Sequence, residues 1–463
     1  MLQLTRRALL GSAAVMGLPM AARAAKAELP NILFIMADDL GYADLGCFGS
    51  RHIRTPNLDR LAARGAKLEQ GYANAPVCSA TRTALITGRY QGRLRCGLDE
   101  PIAVNDIGLP PSEPTLPKML RDGGYTTILV GKWHLGRLPN YSPLKSGYDR
   151  FYGIADGGAD YFSHRLGKQP GFYDGMQPIE QTGYLTDLLA DRAVSEIRRA
   201  REAKKPFYLS LHFTAPHWPW EGPEDAEVAK TITNPVHLDG GSLAKYAEMV
   251  ESMDSNIGKV LAELEAQGIA DNTIVVFTSD NGGERFSDTW PFIGTKTELL
   301  EGGIRTPIIF TWPGHVQAGK VLQQVMVSMD FVPTFLAAAG LAPPRGVSFD
   351  GQNLLDVLTG APERTRTLFW RYKSVPQEAM REGDWKYLKI NDREYLFNLA
   401  QDSHERANLK DLPPQRLAAM KAAFAQWNAT MLPYPDDAYS HSMSSDMADR
   451  FTPAPPVKMG PPR

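Results

Sequence analysis

Up to about Thr365, short apolar runs bounded by turn residues alternate with stretches whose apolar residues recur at helical spacing. Asn31-Ile32-Leu33-Phe34-Ile35-Met36 is apolar after its first residue, the pattern of a strand buried on both faces. Leu58, Leu61 and Ala62 then predict a helix over Pro56–Gly65. Leu116–Gly123 reads as a short helix feeding a strand at Thr126–Val130. Leu189, Ala193 and Ile197 lie on one face of a helix over Thr186–Arg201, and Phe207–Phe213 is the next strand. A long helix, Tyr246–Gln267, is closed by Gly268 as a glycine just past a helix end would close it. Strands at Thr273–Thr278 and Pro307–Phe310 complete the series. Strands alternating with helices predict an α/β fold, a large and mostly parallel sheet flanked by helices.

The rhythm changes after Thr365. Leu368–Tyr372, Glu378–Arg381, Trp385–Ile390 and Glu394–Leu399 are short strands joined by tight turns such as Glu382-Gly383-Asp384, and a helix over Gln415–Met431 follows. Strands in succession without intervening helices predict a smaller C-terminal antiparallel sheet with one helix packed on it. Residues 25–365 therefore form a catalytic-sized domain, and residues 366–463 a C-terminal subdomain ending in a Pro-rich tail, Pro453–Pro462.

Residues 1–24 read as an export signal. Arg6-Arg7 precede a modest apolar run, Ala8–Ala22, and Ala22-Arg23-Ala24 supplies the small residues a signal peptidase prefers. The paired arginines resemble a twin-arginine signal, which carries folded proteins; a general secretory signal is the alternative. The run is too short to span a bilayer, and no later stretch reaches the ~20 apolar residues a span needs. The expectation is a periplasmic or secreted protein without a membrane span. Composition adds little: 43% hydrophobic and 22% charged residues with net charge −2 describe a globular chain and exclude the basic excess of a nucleic-acid binder. Three cysteines, Cys47, Cys78 and Cys96, are an odd number for an exported chain, and no two have metal-site spacing.

In an open parallel sheet, ligands bind beyond the carboxyl ends of the strands. The predicted strands end in Asp38-Asp39, in Asp280-Asn281, in Gly131-Lys132-Trp133-His134 and in Pro216-His217. Asp38, Asp39, Asp280 and Asn281 are an all-oxygen set suited to a hard cation. Ca²⁺ is preferred over Mg²⁺ because it accepts an irregular cage. Acidic pairs after strands also serve as helix caps and turns; two pairs with basic residues nearby favour the cation.

Cys78-Ser79-Ala80-Thr81-Arg82, followed by Thr87-Gly88-Arg89, resembles the signature of the type I sulfatases, C-x-P-x-R or C-x-A-x-R and then T-G-R. Asn31–Gly41, Thr55–Asp59, Gly131–Gly136, Ser279–Gly282, Glu301-Gly302-Gly303 and Asp402–Leu409 resemble further blocks of that family, in its order. The resemblance runs from about Pro30 to Leu409. It implies an alkaline-phosphatase-like architecture and a sulfuric ester hydrolase acting on a sulfated carbohydrate or small aryl sulfate.

It also implies that a maturation enzyme oxidises Cys78 to formylglycine, whose hydrate attacks sulfur. Asp38, Asp39, Asp280, Asn281 and an oxygen of modified Cys78 would then hold the cation. Arg82 and Lys132 would fix the diol and sulfate oxygens, His134 would act as base, and Asp280 could assist the first deprotonation. His217 and Lys296 would face the ester oxygen. Some relatives carry a serine near the sulfate after the block matching Asp149–Gly153; residues 154–160 contain none. Trp218 and Trp220 either stack on a substrate ring or pack the loop around the site. Two other readings are a formylglycine-dependent phosphonate or phosphate ester hydrolase, and an inactive relative that binds sulfated glycans.

Overall fold

The computed structural model describes residues 28–101, 106–165, 167, 171–233, 240–412 and 414–438. The predicted export signal at 1–24 and the Pro-rich tail lie outside the described residues.

The apolar runs assemble into a ten-stranded sheet in the order Lys320–Leu322, Ala66–Leu68, Ile308–Thr311, Thr273–Ser279, Asn31–Ala37, Phe207–His212, Thr126–Gly131, Arg150–Ile154, Phe172–Asp174 and Gln177–Pro178. The five strands from Thr273–Ser279 to Arg150–Ile154 are mutually parallel. Antiparallel pairings flank them on both sides, Ile308–Thr311 against Thr273–Ser279 and Phe172–Asp174 against Arg150–Ile154. The α/β reading holds, and the antiparallel margins are what hydrophobic pattern cannot show, because strand direction leaves no mark on a short apolar run.

Alternation along the central strand divides the core. Leu33, Ile35 and Ala37 face one side, with Leu189, Ala193 and Ile197 of helix Leu185–Glu202 and Met249, Met253 and Ile257 of helix Leu243–Ala266. Ile32, Phe34 and Met36 face the other, with Leu116 and Leu120 of helix Leu116–Asp122 and Phe331 and Phe335 of helix Phe331–Ala338. Burial on both faces explains why the sequence is continuously apolar there.

The long helix begins at Leu243, three residues before its expected start, because the Ser242 side chain caps it by accepting from the Lys245 N–H at 3.1 Å. Gly268, at φ +64°, follows it as expected. The C-terminal strands Thr367–Tyr372, Gln377–Glu382, Trp385–Ile390 and Arg393–Asn398 form a four-stranded antiparallel sheet. Helix Pro414–Asn428 packs on that sheet through Met420 and Phe424 against Met380, Tyr387 and Leu396. It ends three residues short of the expected Met431: Thr430 and Met431 bond back to the carbonyls of Trp427 and Asn428, and Pro433 follows. No helix among the described residues is long and apolar enough to cross a membrane. Cys47, Cys78 and Cys96 are all free thiols.

Candidate active site

Parallel register brings the carboxyl ends of the central strands level: Ala37 pairs with Ser279, Met36 with His212, and His212 with Gly131. The next residues of each strand therefore converge, and Asp38, Asp39, Asp280, Asn281 and Lys132 are all buried together. Cys78 reaches them from the first position of helix Cys78–Thr87, every residue of which is buried and which Gly88 terminates at φ +68°. Its thiol lies 3.3 Å from Asp38 Oδ1 and 3.8 Å from Asp39 Oδ1. Facing oxygens of Asp38, Asp39 and Asp280 lie with Cys78 Sγ within 4.8 Å of one another.

Each carboxylate also holds a cation of its own. Lys132 Nζ is 2.5 Å from Asp38 Oδ2, Lys296 Nζ is 2.7 Å from Asp39 Oδ2, and Arg82 donates to Asp280 Oδ2 at 2.8 and 3.1 Å. Arg82 also reaches the Lys132 carbonyl at 2.9 Å. These pairings offset much of the repulsion among three converging carboxylates, so repulsion alone does not call for a metal. Geometry favours one: one oxygen of each carboxylate is spent on a cation, while the second turns toward Sγ or a neighbour in the cluster. Asn281 donates through Nδ2 to Asp39 Oδ1 at 2.7 Å and to the Gly282 carbonyl at 2.8 Å. Its buried Oδ1 has no hydrogen-bond partner among the described residues. A buried amide oxygen left over beside converging carboxylates fits a hard cation. Burial, and then Asp280, push the Asp38 carboxyl well above its usual range, with Lys132 opposing them; a divalent ion among these oxygens would remove that penalty.

The other charges follow from the same surroundings. Burial raises Asp39, but Lys296, His217 and Lys132 together hold it well below the usual carboxylate range. Burial works against the charged forms of Lys132 and Lys296, yet Asp38 for the first and Asp39 for the second hold both above the ordinary lysine value. Burial and the nearby Lys132 and Arg82 drive His134 well below its ordinary value, so it is neutral at physiological pH. Its Nδ1 is buried without a partner among the described residues. His217 is likewise lowered by burial, with Asp39 opposing. Its Nδ1 donates to the Trp218 carbonyl at 2.7 Å and its Nε2 lies 3.6 Å from Asp39 Oδ2. The Cys78 thiol is raised by burial and by Asp280 and Asp38, so unmodified Cys78 is a poor nucleophile.

All ten residues singled out in the sequence, Asp38, Asp39, Cys78, Arg82, Lys132, His134, His217, Asp280, Asn281 and Lys296, are buried in this one region. Asp39 and His134 have φ of +63° and +54°, a left-handed backbone that non-glycine residues rarely adopt and that clusters at functional sites. The serine absent from residues 154–160 has a structural counterpart. A Cβ on Gly157 would sit 2.7 Å from His134 Nε2, and one on Gly158 3.1 Å from His217 Cε1. Side chains there would crowd both histidines.

The Glu301-Gly302-Gly303 block has a steric reason. A Cβ on Gly303 would meet the Glu298 carbonyl at 2.0 Å, and one on Gly302 the Gly294 carbonyl at 2.2 Å. The loop carrying Lys296 folds directly onto this turn. Trp218 and Trp220 are both buried, Trp220 edge-on to Phe286 at 4.8 Å, which favours their packing role.

Two residues escaped the sequence reading. His212 sits with Nδ1 3.4 Å from an Arg82 nitrogen and 3.3 Å from the Lys132 carbonyl. Treating it as strand interior hid it, although it is the last residue of its strand. Glu284 Oε2 lies 3.6 Å from Lys296 Nζ, four residues past Asp280, with no spacing signal to mark it.

Comparison with known proteins gives a consistent picture. The Sulfatase family pattern matches residues 30–341, and the pattern described as N-sulphoglucosamine sulphohydrolase, C-terminal, matches residues 294–425. Human N-acetylgalactosamine-6-sulfatase is 36% identical over 366 residues, 74% of this chain and 68% of that protein. Steryl-sulfatase from Rattus norvegicus is 33% identical over 423 residues, 72% of this chain and 70% of that protein. Among solved structures, Ps i-CgsB in complex with k-i-k-neocarrahexaose superposes with a TM-score of 0.81 at 32% identity, covering 90% of this chain and 96% of that one. The phosphonate monoester hydrolase of Agrobacterium radiobacter shares the fold, with a TM-score of 0.60 at 21% identity over 87% of this chain and 95% of that one.

Proposed function

This chain belongs to the sulfatase family of sulfuric ester hydrolases, and from that premise we propose that it removes sulfate from a sulfated carbohydrate with a formylglycine nucleophile made from Cys78. The observation that carries the reading is the convergence of carboxylate oxygens on Cys78 Sγ at the start of a buried helix, beside the leftover Asn281 oxygen. The carbohydrate assignment rests on two relatives, one named for N-acetylgalactosamine 6-sulfate and one solved with a neocarrahexaose.

Formylglycine, once formed and hydrated, would supply one hydroxyl to attack sulfur as the ester oxygen leaves, and a second whose deprotonation would expel sulfate and restore the aldehyde. Asp38, Asp39, Asp280 and Asn281 would hold a calcium ion, which would supply a Lewis acid for the sulfate oxygens. The remaining work falls to the chain. Lys132 and Arg82 are kept cationic by Asp38 and Asp280, and place fixed positive charge where sulfate oxygens arrive. The first turn of the Cys78 helix adds backbone N–H groups and a partial positive charge. Neutral His134, its Nδ1 unspent, takes the proton from the second hydroxyl. His217 and Lys296, side by side against Asp39, face the ester oxygen, and Lys296 brings the positive charge a departing alkoxide needs.

Maturation requires a formylglycine-generating enzyme as a partner. Export through the N-terminal signal, after folding, would deliver the finished site to the periplasm or the medium.

The test is sulfate release from sulfated mono- and oligosaccharides by wild-type and Cys78→Ala protein, both co-produced with a maturation enzyme. Turnover confined to the wild type supports the reading. Faster turnover of phosphonate monoesters than of every sulfate ester would replace it with the phosphonate hydrolase reading.

A further inference from the structure

Lys296 sits on an irregular loop, yet its ammonium must be held at one point beside Asp39. The residue after it, Thr297, has φ +69°, a conformation that costs a β-branched residue more than most. Such a backbone persists only when its surroundings over-determine it. On the amino side, the Lys296 N–H donates to the Gly283 carbonyl at 2.9 Å. The Thr297 N–H donates to the Pro76 carbonyl at 2.8 Å, two residues before Cys78. The third restraint comes from the other sheet. Gln377, the first residue of strand Gln377–Glu382, donates through Nε2 to the Thr297 carbonyl at 2.9 Å and accepts through Oε1 from the Leu299 N–H at 2.8 Å. Both ends of one buried amide thus grip the loop immediately past Lys296.

We propose that Gln377 is a positioning residue for Lys296, through which the C-terminal sheet sets the charge that faces the ester oxygen. The proposal rests on the reading of Lys296 given above. A primary amide is suited to this work because it donates and accepts at once, matching a peptide carbonyl and a peptide N–H two residues apart. A methionine fills similar volume and does neither, leaving the buried Thr297 carbonyl and Leu299 N–H without this partner. The strained turn can then relax and carry Lys296 away from Asp39. The Thr297–Pro76 bond makes the effect local to the nucleophile as well, since it ties the same turn to the start of the Cys78 helix.

The experiment compares kcat/KM of mature wild-type, Gln377→Met, Lys296→Met and the double variant on phenyl sulfates ranging from pentafluorophenyl to unsubstituted phenyl. A positive charge at the leaving oxygen matters most for the poorest leaving group. Lys296→Met is expected to steepen the dependence on leaving-group acidity. Gln377→Met should steepen it in the same sense, losing about 10- to 100-fold on phenyl sulfate and little on the pentafluorophenyl ester. In the double variant, Gln377→Met should add almost nothing, the non-additivity expected of residues acting as a unit.

A merely structural role would lower all rates uniformly. That outcome, alongside a steepened Lys296→Met series, overturns the inference and leaves the Lys296 reading standing. An unchanged slope in Lys296→Met overturns both. Should Gln377→Met fail to fold, Gln377→Glu keeps an acceptor for Leu299 and sets a carboxyl in place of the amide N–H donor to Thr297, and the same comparison applies. A crystal structure of the folded variant gives an independent check: Lys296 displaced from hydrogen-bonding distance of Asp39 is expected, and an unmoved Lys296 contradicts the proposal.

Discussion

Two buried ion clusters share one stretch of chain, Lys296 serving the first and Glu301 the second, and they are built to opposite ends. The first is the site around Cys78. The second welds the C-terminal sheet to the larger domain: Glu301 Oε1 meets Lys386 Nζ at 2.9 Å, Lys386 meets Glu405 at 2.8 Å, and the Glu301 N–H donates to Glu405 Oε2 at 2.6 Å. Glu301 Oε2 accepts from Tyr72 at 2.7 Å and from Arg305 at 2.5 and 2.8 Å. Arg381 in turn donates to the Tyr72 hydroxyl. In the weld both oxygens of Glu301 are spent on neighbours within the cluster. At Cys78 each carboxylate spends one oxygen on a cation and turns the other toward Cys78 Sγ or a cluster neighbour, Asp39 Oδ1 accepting from Asn281 Nδ2 and Asp280 Oδ1 from the Asp39 N–H, while Asn281 Oδ1 has no hydrogen-bond partner among the described residues. Burial of charge is therefore not itself the mark of a site; what distinguishes the first cluster is that oxygens of three carboxylates converge with Cys78 Sγ to within 4.8 Å of one another, beside an unpartnered amide oxygen.

Four perturbations should act differently on the two clusters. The largest effect is expected from Cys78→Ala, which should lower turnover by roughly 10⁴-fold or more while leaving the unfolding temperature little changed. Parallel activity and calorimetry measure both, and near-normal turnover would remove Cys78 from the mechanism.

Next is the cation. Thorough chelation should cut activity by more than about 100-fold, with Ca²⁺ restoring more than Mg²⁺. Added Ca²⁺ should also raise the unfolding temperature of the wild type, by mass action, and do so much less in Asn281→Leu. Full activity after chelation would show that the reserved oxygens serve something else.

Lys386→Met attacks the weld. It leaves Glu301 and Glu405 facing each other without their shared cation, and should cost about 3–5 kcal/mol in denaturant unfolding. The kcat of the folded fraction should change far less than its stability, which separates the second cluster from the first.

The smallest effect is a slope. Burial pushes the Glu405 carboxyl up to about 7, with Lys386 opposing and Glu301 assisting. A carboxyl whose folded value is raised favours the folded state fully below its unfolded value, near 4.5, and that contribution is lost as pH rises toward 7. Burial also works on Glu301, but Lys386 and Arg305 hold it below its usual range, so its contribution is present above 4.5 and lost at lower pH. Glu405→Gln should therefore flatten the decline between about 4.5 and 7, by no more than about 1.4 kcal/mol per pH unit. Unfolding curves across that window check it.

The first cluster was legible in the sequence because strand ends announce it. Asp38-Asp39 and Asp280-Asn281 follow apolar runs directly, and parallel register turns that adjacency into proximity. Cys78 and Arg82 were legible through a short motif whose neighbours recur in order. The second cluster was legible only in part: Glu301 and Glu405 lie in blocks that resemble the family, but nothing in the sequence joined them to each other or to Lys386. Lys386 and Glu405 stand 85 and 104 residues from Glu301, the first on a strand of the small sheet and the second in the loop after its last strand, and obey only the general demand for polar pairing. Gln377 is invisible for the same reason, since its partners are backbone atoms of a loop 78 and 80 residues away. The individual ion pairs at the site were also unreadable. The sequence sets Lys132 at the sheet edge that bears the carboxylates, and the resemblance sets Lys296 at the ester oxygen; only three-dimensional packing pairs Asp38 with the first and Asp39 with the second.

If Cys78 is a precursor rather than the final nucleophile, the mass of the peptide containing it will show the change. The protein should be produced in a host with a competent maturation enzyme and digested without reducing the aldehyde. A peptide at the mass of the aldehyde or its hydrate is expected, in proportion to specific activity across preparations. A fully active preparation whose Cys78 is an unmodified thiol would contradict it.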